Sequence, residues 1–351
     1  MPTITIEQLG VPLKSRKGTI LDAALAAGIA YPHSCRVGEC GSCKSRLVAG
    51  EVFSPAPADP TVLTQAERAA GIILPCRSWP KTDVTVAWLT KIDAGAAAPI
   101  RQATARVVGL EDSTHDIKRL RLELDGPPLV FAAGQYAELQ FGRLPARSFS
   151  MANRPDEHIL EFHIRRTASG GASAYVAEQL RLDERVRLKG PFGSATLRTD
   201  HRGPMIAAAG GSGLAPIHSI VRTALAARAT QPIHLYFGAR GEQDIYYERE
   251  LLQLADDHPN LRVEVILSSV EQSIDRRTGF VHGAIAQDLS TLADTKVYVA
   301  GPPPMVAAVA ALARSRGARE SDIHADAFTS SAPVSCRGGL ASRLRALFGS
   351  K

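Results

Sequence analysis

The stretch that decides the fold of this 351-residue chain is CRVGECGSC, residues 35–43, in which three cysteines share one short loop. A fourth cysteine, Cys76, follows much later in the chain. In this spacing, C-x4-C-x2-C with one distant cysteine, a tight loop supplies three thiolates and a later segment supplies the fourth to a [2Fe–2S] cluster. Gly38 and Gly41 fit such a loop, because it needs unusual backbone angles and amides close to sulfur. The predicted metal ligands are Cys35, Cys40, Cys43 and Cys76.

Two other uses of these cysteines remain open, a structural zinc site and a group of buried free thiols. Zinc sites typically combine two C-x2–4-C pairs, whereas this chain has only one. A disulfide framework is not expected, because the first residues, MPTITIEQLG, show no secretion signal. For the same reason we expect a cytoplasmic protein. Cys336 lies apart from the other four and is interpreted as an incidental free thiol.

The net charge of +6 is unevenly distributed. Residues 329–351 contain four basic and no acidic side chains, so the remaining chain has 37 basic and 35 acidic residues, a balance of +2. This nearly neutral body has no basic stripe interleaved with aromatic residues, and we therefore expect no nucleic-acid partner. No apolar run approaches the roughly 18 residues that a membrane-spanning helix requires, so no transmembrane segment is expected.

The hydrophobic patterning changes twice along the chain and predicts three domains. The first contains strand-like segments around one helix, LDAALAAGIA, which is typical of a small α+β unit. The second alternates repeatedly, which favours an antiparallel β-barrel, with a helix that we expect to begin at Ser173 as N-cap. In the third, short apolar runs alternate with helical patterns, as in a doubly wound parallel α/β sheet. The predicted boundaries are 1–92, a linker at 93–100, 101–200, 201–328 and a basic tail at 329–351.

The first domain resembles the plant-type ferredoxins in its segment CRVGECGSCKSRLVAGEV. The resemblance implies a β-grasp fold with a [2Fe–2S] cluster. Residues 1–98 carry 10 basic and 8 acidic side chains, however, whereas soluble plant-type ferredoxins are strongly acidic. We therefore expect this domain to exchange electrons within its own chain, and not to dock as an acidic carrier on a basic partner.

The second domain contains RSFSMAN, residues 147–153. An arginine can hold a diphosphate, an aromatic ring can stack on a flavin, and a small hydroxyl can approach the flavin ring. The segment resembles the R-x-Y-S-x-A-N motif of the ferredoxin–NAD(P)+ reductase superfamily, with Phe149 replacing tyrosine. The resemblance implies bound FAD, a diphosphate contact from Arg147, stacking by Phe149 and a catalytic hydrogen bond from Ser150 near flavin N5. It implies further FAD contacts from His163, Ile164, Arg165 and Ser173.

The third domain contains GGSGLAP, residues 210–216, after the strand-like PMIAAA. Small residues at such a strand-to-helix turn let a diphosphate approach backbone amides. With FGAR and GPPPM, the turn resembles the nicotinamide-nucleotide segments of the same superfamily. Implied nucleotide contacts are Gly211, Ser212, Gly213, Leu214, Arg240, Gly301, Pro302 and Met305, and Phe328 is implied to approach the flavin as a second catalytic residue. NADH is favoured over NADPH, because the 2′-phosphate of NADPH requires a basic cluster. Arg240 supplies only one positive charge, and two acidic residues, Glu242 and Asp244, follow it closely in the sequence.

The order of the three domains resembles the reductase components of multicomponent bacterial aromatic oxygenases, most closely those of the naphthalene dioxygenase type. The resemblance implies a path from NADH through FAD to the [2Fe–2S] cluster and on to a ferredoxin or the terminal oxygenase. Reductases of di-iron monooxygenases or deoxysugar pathways share this architecture and stay open as alternatives.

A rival function of another class is an iron–sulfur redox sensor on a weak flavoprotein, because Ala300 replaces a cysteine that lies beside the nicotinamide in the superfamily. The tail offers a further interaction. Leu340, Leu344 and Leu347 share one face of a predicted helix flanked by arginines, so the tail is predicted to dock to an acidic partner or a membrane surface. A frayed terminus is the alternative.

Overall fold

The computed structural model describes residues 1–10, 12–14, 18–29, 31–55, 58–60, 62–89, 98–167, 170–269 and 275–328. Most of the predicted linker at 93–100 lies outside the described residues, and the predicted tail helix and Cys336 lie wholly outside them. None of the helices in the described part of the chain has the length and apolar character that crossing a membrane requires.

The N-terminal domain is a five-stranded mixed sheet with a helix packed on it, which confirms the predicted β-grasp class. Strand order is β2-β1-β7-β3-β5, with β1 parallel to β7 and a separate pair β4-β6. The helix α1 begins with a capping box in which Thr19 and Asp22 bond each other's backbone amides. In the described residues the elements are β1 (Thr3–Ile6), β2 (Pro12–Lys14), α1 (Ile20–Ala26), β3 (Ser45–Ala49), β4 (Val52–Phe53), α2 (Gln65–Ala69), β5 (Ile72–Ile73), β6 (Trp79–Pro80) and β7 (Val84–Trp88).

The central domain is a six-stranded antiparallel sheet in the order β11-β10-β13-β8-β9-β12. A bridge between Met151 and Phe162 brings the two edges together, so the sheet is a nearly closed barrel, as predicted. The predicted N-cap is wrong, because the helix begins after Gly171, whose positive φ of 73° turns the chain. Described elements are β8 (Arg101–Asp112), β9 (Ile117–Leu124), β10 (Tyr136–Phe141), β11 (Arg147–Ser150), β12 (Leu160–Arg165), α3 (Ala172–Glu178) and β13 (Arg185–Phe192).

The C-terminal domain is a six-stranded parallel sheet in the order β17-β16-β15-β14-β18-β19, which confirms the doubly wound prediction. The strand order reverses between β14 and β18, and ligands of such sheets bind beyond the strand ends at that point. Its described elements are β14 (Met205–Gly210), α4 (Leu214–Ala226), β15 (Ile233–Ala239), α5 (Glu248–Asp257), β16 (Leu261–Leu267), β17 (Arg277–Thr278), α6 (Val281–Asp288), β18 (Lys296–Gly301), α7 (Pro303–Ser315) and β19 (Ile323–Ala327).

The cysteine loop of the N-terminal domain contacts both other domains. The backbone of His33 exchanges hydrogen bonds with Ser194 of the central domain, at 2.9 to 3.1 Å. The Ser42 hydroxyl donates to the carbonyl of Ala325 on β19, at 3.3 Å. The loop is therefore held where the barrel and the parallel sheet meet.

Candidate functional site

The four predicted cysteine ligands converge at one place. The thiols of Cys43 and Cys76 are 3.3 Å apart. The backbone amide of Cys35 donates to the sulfur of Cys40 at 3.4 Å, and the amide of Glu39 donates to the sulfur of Cys35 at 3.3 Å. All four are free of disulfides. Amides that point at sulfur in this way stabilise thiolate ligands of a metal centre.

The thiol pKa values show how closely the four sulfurs are packed. The hydrogen bond with Cys40 is the main reason that the pKa of Cys35 is lowered to about 6. Hydrogen bonds with Cys35 and Cys43 raise the pKa of Cys40 and Cys76, respectively. Four thiolates could not share this space without a compensating cation, and iron supplies one. The donor set therefore fits a [2Fe–2S] cluster.

A cavity of about 410 Å³ lies beside the cysteine loop, and residues of all three domains line it. This volume is in the range of cofactor sites. It brings together nine of the residues predicted for flavin or nucleotide binding: Arg147, Phe149, Ser150, His163, Arg165, Ser212, Gly301, Pro302 and Phe328. The lining also includes residues that no flavin or nucleotide motif predicted: Ser34, Arg36, Val37, Tyr136 and Glu138.

Strand β11 presents the flavin motif along one side of this cavity. It pairs with β10, where Phe149 lies opposite Ala137 and Ser150 opposite Tyr136. The guanidinium of Arg147 is exposed, whereas the Ser150 hydroxyl is buried and donates to Asp326 at 3.4 Å. An exposed guanidinium fits the diphosphate of FAD, and an aromatic face with a buried hydroxyl fits its ring.

His163 lines the cavity, but its two ring nitrogens are bonded elsewhere. Nδ1 lies 3.0 Å from the Tyr246 hydroxyl, and Nε2 lies 3.2 Å from the Glu161 carboxylate. The same Tyr246 hydroxyl lies 3.2 Å from the carbonyl oxygen of Gly211. Burial lowers the pKa of His163 and thus favours the neutral ring. The imidazole therefore offers the cavity a ring surface and links the barrel to the glycine-rich turn.

A second cavity of about 390 Å³ lies beyond the ends of β14, β15 and β18. The glycine-rich turn beside this cavity leaves no room for side chains. A Cβ at Gly210, which lines the cavity, would lie 2.7 Å from the sulfur of Met305, and one at Gly213, just behind the lining, would lie 2.2 Å from the carbonyl oxygen of Ala300. The ends of β14 and β18 thus approach each other closely, which leaves backbone amides for a diphosphate. Five predicted residues line it: Arg165, Gly211, Arg240, Pro302 and Met305.

Four predicted contacts line neither cavity: Ile164, Ser173, Gly213 and Leu214. Ile164 and Leu214 are core side chains. Ser173 accepts a hydrogen bond from the backbone amide of Thr167 at 3.2 Å and shapes the loop before α3. The second cavity also contains Phe280, a residue that sequence patterns missed because the strand before it is only two residues long.

Comparison with known proteins agrees with this architecture. The chain matches the family models for a 2Fe-2S iron-sulfur cluster binding domain (residues 4–81), an oxidoreductase FAD-binding domain (104–197) and an oxidoreductase NAD-binding domain (205–311). It is 39% identical over 326 residues, 93% of this chain and 98% of the relative, to the reductase component of naphthalene 1,2-dioxygenase/salicylate 5-hydroxylase systems of Ralstonia sp..

Another relative is the naphthalene 1,2-dioxygenase reductase component of Pseudomonas putida, 38% identical over 90% of this chain and 94% of that protein. Among solved structures, a ferredoxin reductase in carbazole 1,9a-dioxygenase superimposes with a TM-score of 0.68. It is 30% identical, and the match covers 93% of this chain and 98% of that one.

Proposed function

Because the chain belongs to the family of ferredoxin–NAD(P)+ reductase components that join [2Fe–2S], FAD-binding and NAD-binding domains, we propose that it supplies electrons to an aromatic-ring oxygenase. It is an oxidoreductase in which electrons pass from NAD(P)H through FAD to the [2Fe–2S] centre. When bound, FAD converts the two-electron hydride into single electrons, and the chain's own residues hold and orient the groups. One observation carries the proposal: the wall of the flavin cavity includes Cys35.

The roles of the site residues belong to the proposal. Arg147 holds the FAD diphosphate, Phe149 stacks on the ring and Ser150 bonds near N5. Phe328 approaches from the nicotinamide side. Phe149 has no hydroxyl for the ribityl chain, so stacking is its whole contribution. His163 acts through its ring surface, since both nitrogens are already bonded.

The other predicted cofactor contacts divide by position. Arg165 borders both cavities and can therefore reach either diphosphate. Ile164, Ser173, Gly213 and Leu214 lie outside the two linings, and their proposed contacts to the cofactors stay predictions. The proposed functional units keep the predicted bounds, with the cluster in 1–92, FAD in 101–200 and the nucleotide in 201–328.

We further propose that the reductant is NADH. Two arginines line the second cavity, and both are paired within the described part of the chain: Arg240 with Asp244 at 2.5 Å and with Asp116 at 3.0 Å, and Arg165 with Asp116 at 3.2 Å. A 2′-phosphate would have to compete with these carboxylates for the same guanidinium groups.

The test is kcat/KM for NADH and NADPH with ferricyanide as acceptor. We expect NADH to be favoured by at least about tenfold, the value of one charge-assisted hydrogen bond. Asp116→Asn weakens the ion pairs of both arginines and should therefore lower the ratio of kcat/KM for NADH to kcat/KM for NADPH. Equal use of the two nucleotides by the unaltered chain would contradict the proposal.

The proposed partner is a small ferredoxin or the terminal oxygenase itself. Relatives of this architecture are reductase components of multicomponent oxygenase systems. The decisive experiment reconstitutes NADH-dependent substrate hydroxylation with a naphthalene-type oxygenase, with and without its ferredoxin. If turnover occurs only with a di-iron monooxygenase, that enzyme class is the partner and the aromatic-ring oxygenase is not. Absence of rapid NADH-dependent reduction of any acceptor would favour a redox-sensing function.

A cytoplasmic location is proposed because nicotinamide reductants and unpaired cysteines belong to a reducing compartment. The tail, residues 329–351, is proposed from its sequence to dock to an acidic partner or a membrane surface. Truncation at Ser331 should then weaken oxygenase-coupled turnover or vesicle binding while NADH–ferricyanide activity is kept. Unchanged partner turnover and unchanged vesicle binding would refute the tail's role.

A further inference from the structure

One buried carboxyl group lies where all three domains meet. Asp326 on β19 is 7% exposed and accepts a hydrogen bond from the hydroxyl of Ser34 in the N-terminal domain. Its second oxygen accepts from Ser150 of the central domain, at 3.4 Å. Within the described ranges no lysine, arginine or histidine forms an ion pair with Asp326. The two hydroxyl groups are therefore its side-chain donors.

The two serines have different neighbours. Ser34 directly precedes the ligand Cys35, and Ser150 faces the flavin cavity. Both are buried, at 4% and 7% exposure. A buried hydrogen bond to a carboxyl group is stronger than a solvent-exposed one. By contrast, the ion pair of Arg36 with Glu138, which also holds the loop, leaves both side chains about one-fifth exposed.

We propose that Asp326 is a positioning residue that seats the cluster loop against the flavin site, with Ser34 as its contact on the loop. This inference rests on the proposed electron path and adds a residue pair that sets the geometry of its internal step. Because one carboxyl group holds both serines, the distance between the loop and the flavin wall is fixed through it. Burial raises the pKa of Asp326, in agreement with a carboxyl group shielded from solvent by all three domains.

The loop contains its own matched control. Ser42 belongs to the same cysteine loop and also bonds β19, but its partner there is the backbone carbonyl of Ala325, whereas Asp326 is bonded by Ser34 and Ser150. The Ser42 side chain also bonds Cys40, which makes it the more demanding control. Ser34→Ala and Ser42→Ala therefore each remove one hydroxyl between the same two elements. Only the first removes the link to Asp326.

The experiment compares both variants as FAD- and iron-loaded full chains. The first readout is the rate of cluster reduction after mixing with NADH in stopped flow. We expect this rate to fall about tenfold in Ser34→Ala, which corresponds to the free energy of one buried hydrogen bond to a charged group. In Ser42→Ala the rate should stay within about twofold of that of the unaltered chain. The second readout is hydrogen–deuterium exchange of residues 31–40 in the oxidised protein, which should rise in Ser34→Ala only. Flavin reduction by NADH should be unchanged in Ser42→Ala, because Ser42 does not line the flavin cavity.

Two results would overturn the inference. The first is a Ser34→Ala protein in which hydrogen–deuterium exchange and the rate of cluster reduction are both unchanged. The second is an equal effect of Ser34→Ala and Ser42→Ala, which would indicate a general effect on packing. If Ser34→Ala fails to assemble its cluster, Asp326→Asn tests the same link and leaves the loop sequence intact. Unchanged hydrogen–deuterium exchange of residues 31–40 in Asp326→Asn would then refute the inference. Failure of the electron path itself has another signature, because the unaltered chain would then show no NADH-dependent flavin reduction.

Discussion

Replacing Gly213 with alanine tests whether the nucleotide cavity depends on the close approach of two strand ends. The backbone of Gly213 has φ −61° and ψ −12°, which any residue adopts, so the substitution tests space alone. The added Cβ would lie 2.2 Å from the carbonyl oxygen of Ala300 and 2.7 Å from the Cα of Gly301. These are backbone atoms of the parallel sheet and cannot rotate away. The turn and the strand end must therefore separate by roughly 1 Å to reach ordinary van der Waals contact.

The expected loss follows from that displacement. Overpacking of a fitted interior costs about 1–3 kcal/mol, and a clash against backbone belongs at the upper end of this range. A misplacement of about 1 Å in a reacting complex can lower the rate by about 10²-fold. We therefore expect kcat/KM for NADH in Gly213→Ala to fall by about a hundredfold. Iron content should stay unchanged, because the four cysteine ligands lie in the N-terminal domain.

The assay is steady-state ferricyanide reduction over a range of NADH concentrations, with urea denaturation as the measure of stability. Gly283→Ala in α6 is the matched control, because a Cβ there meets nothing within 4 Å and alanine is the better helix former by about 0.5–1 kcal/mol. The two Gly-to-Ala changes should thus shift stability in opposite directions. A Gly213→Ala protein with unaltered stability and unaltered kcat/KM would refute the reasoning.

Three further predictions concern other contacts. Tyr246→Phe removes the hydroxyl that lies between His163 and the carbonyl of Gly211 and should raise KM for NADH several-fold with kcat nearly kept. Tyr247→Phe, which loses its bond to Glu161, should leave KM unchanged, and equal effects of the two substitutions would contradict this. Burial lowers the pKa of His218 to about 3, so the folded protein resists its protonation and the free energy of unfolding should fall from pH 6.5 downward by about 1.4 kcal/mol per pH unit from this group. In urea titrations between pH 7 and 5, the free energy of unfolding should decline less steeply with falling pH in His218→Gln than in the unaltered chain. Equal slopes for the two proteins would contradict this prediction. Cys43→Ser should abolish the iron–sulfur absorption while NADH–ferricyanide activity persists, and loss of both would contradict the electron path.

The fold class and the convergence of the four cysteines could be predicted because their signals are local. Three of the four ligands share nine residues, and the spacing of a tight loop hardly depends on the rest of the chain. The barrel and the parallel sheet follow in the same way from alternation and from short apolar runs. The wrong N-cap at Ser173 has a local cause as well. Gly171 turns the chain at positive φ, and the propensity of serine for N-caps does not reveal this.

What the sequence could not predict is how distant residues meet. Ser34 and Asp326 are 292 positions apart, and Tyr136 contacts the loop carbonyl of Ser34 across 102 positions. Neither pair belongs to a motif that periodicity or spacing could indicate. The family motif predicts a contact between His163 and FAD, but it does not indicate that Tyr246 and Glu161 bond both ring nitrogens. Tertiary packing assigns these partners.

The placement of the cysteine loop has a consequence for how an external acceptor reaches the cluster. Cys35 lies in the wall of the flavin cavity, and Ser42 bonds β19, so two sides of the loop are covered by the chain's own domains. Within residues 34–43, all of which the structure describes, Glu39 is the one largely exposed residue. An acceptor therefore approaches the cluster on the Glu39 side. We expect NADH to enter through the second cavity, which none of the loop residues lines. Acceptor and NADH should therefore not compete, and competitive inhibition between them would refute this expectation.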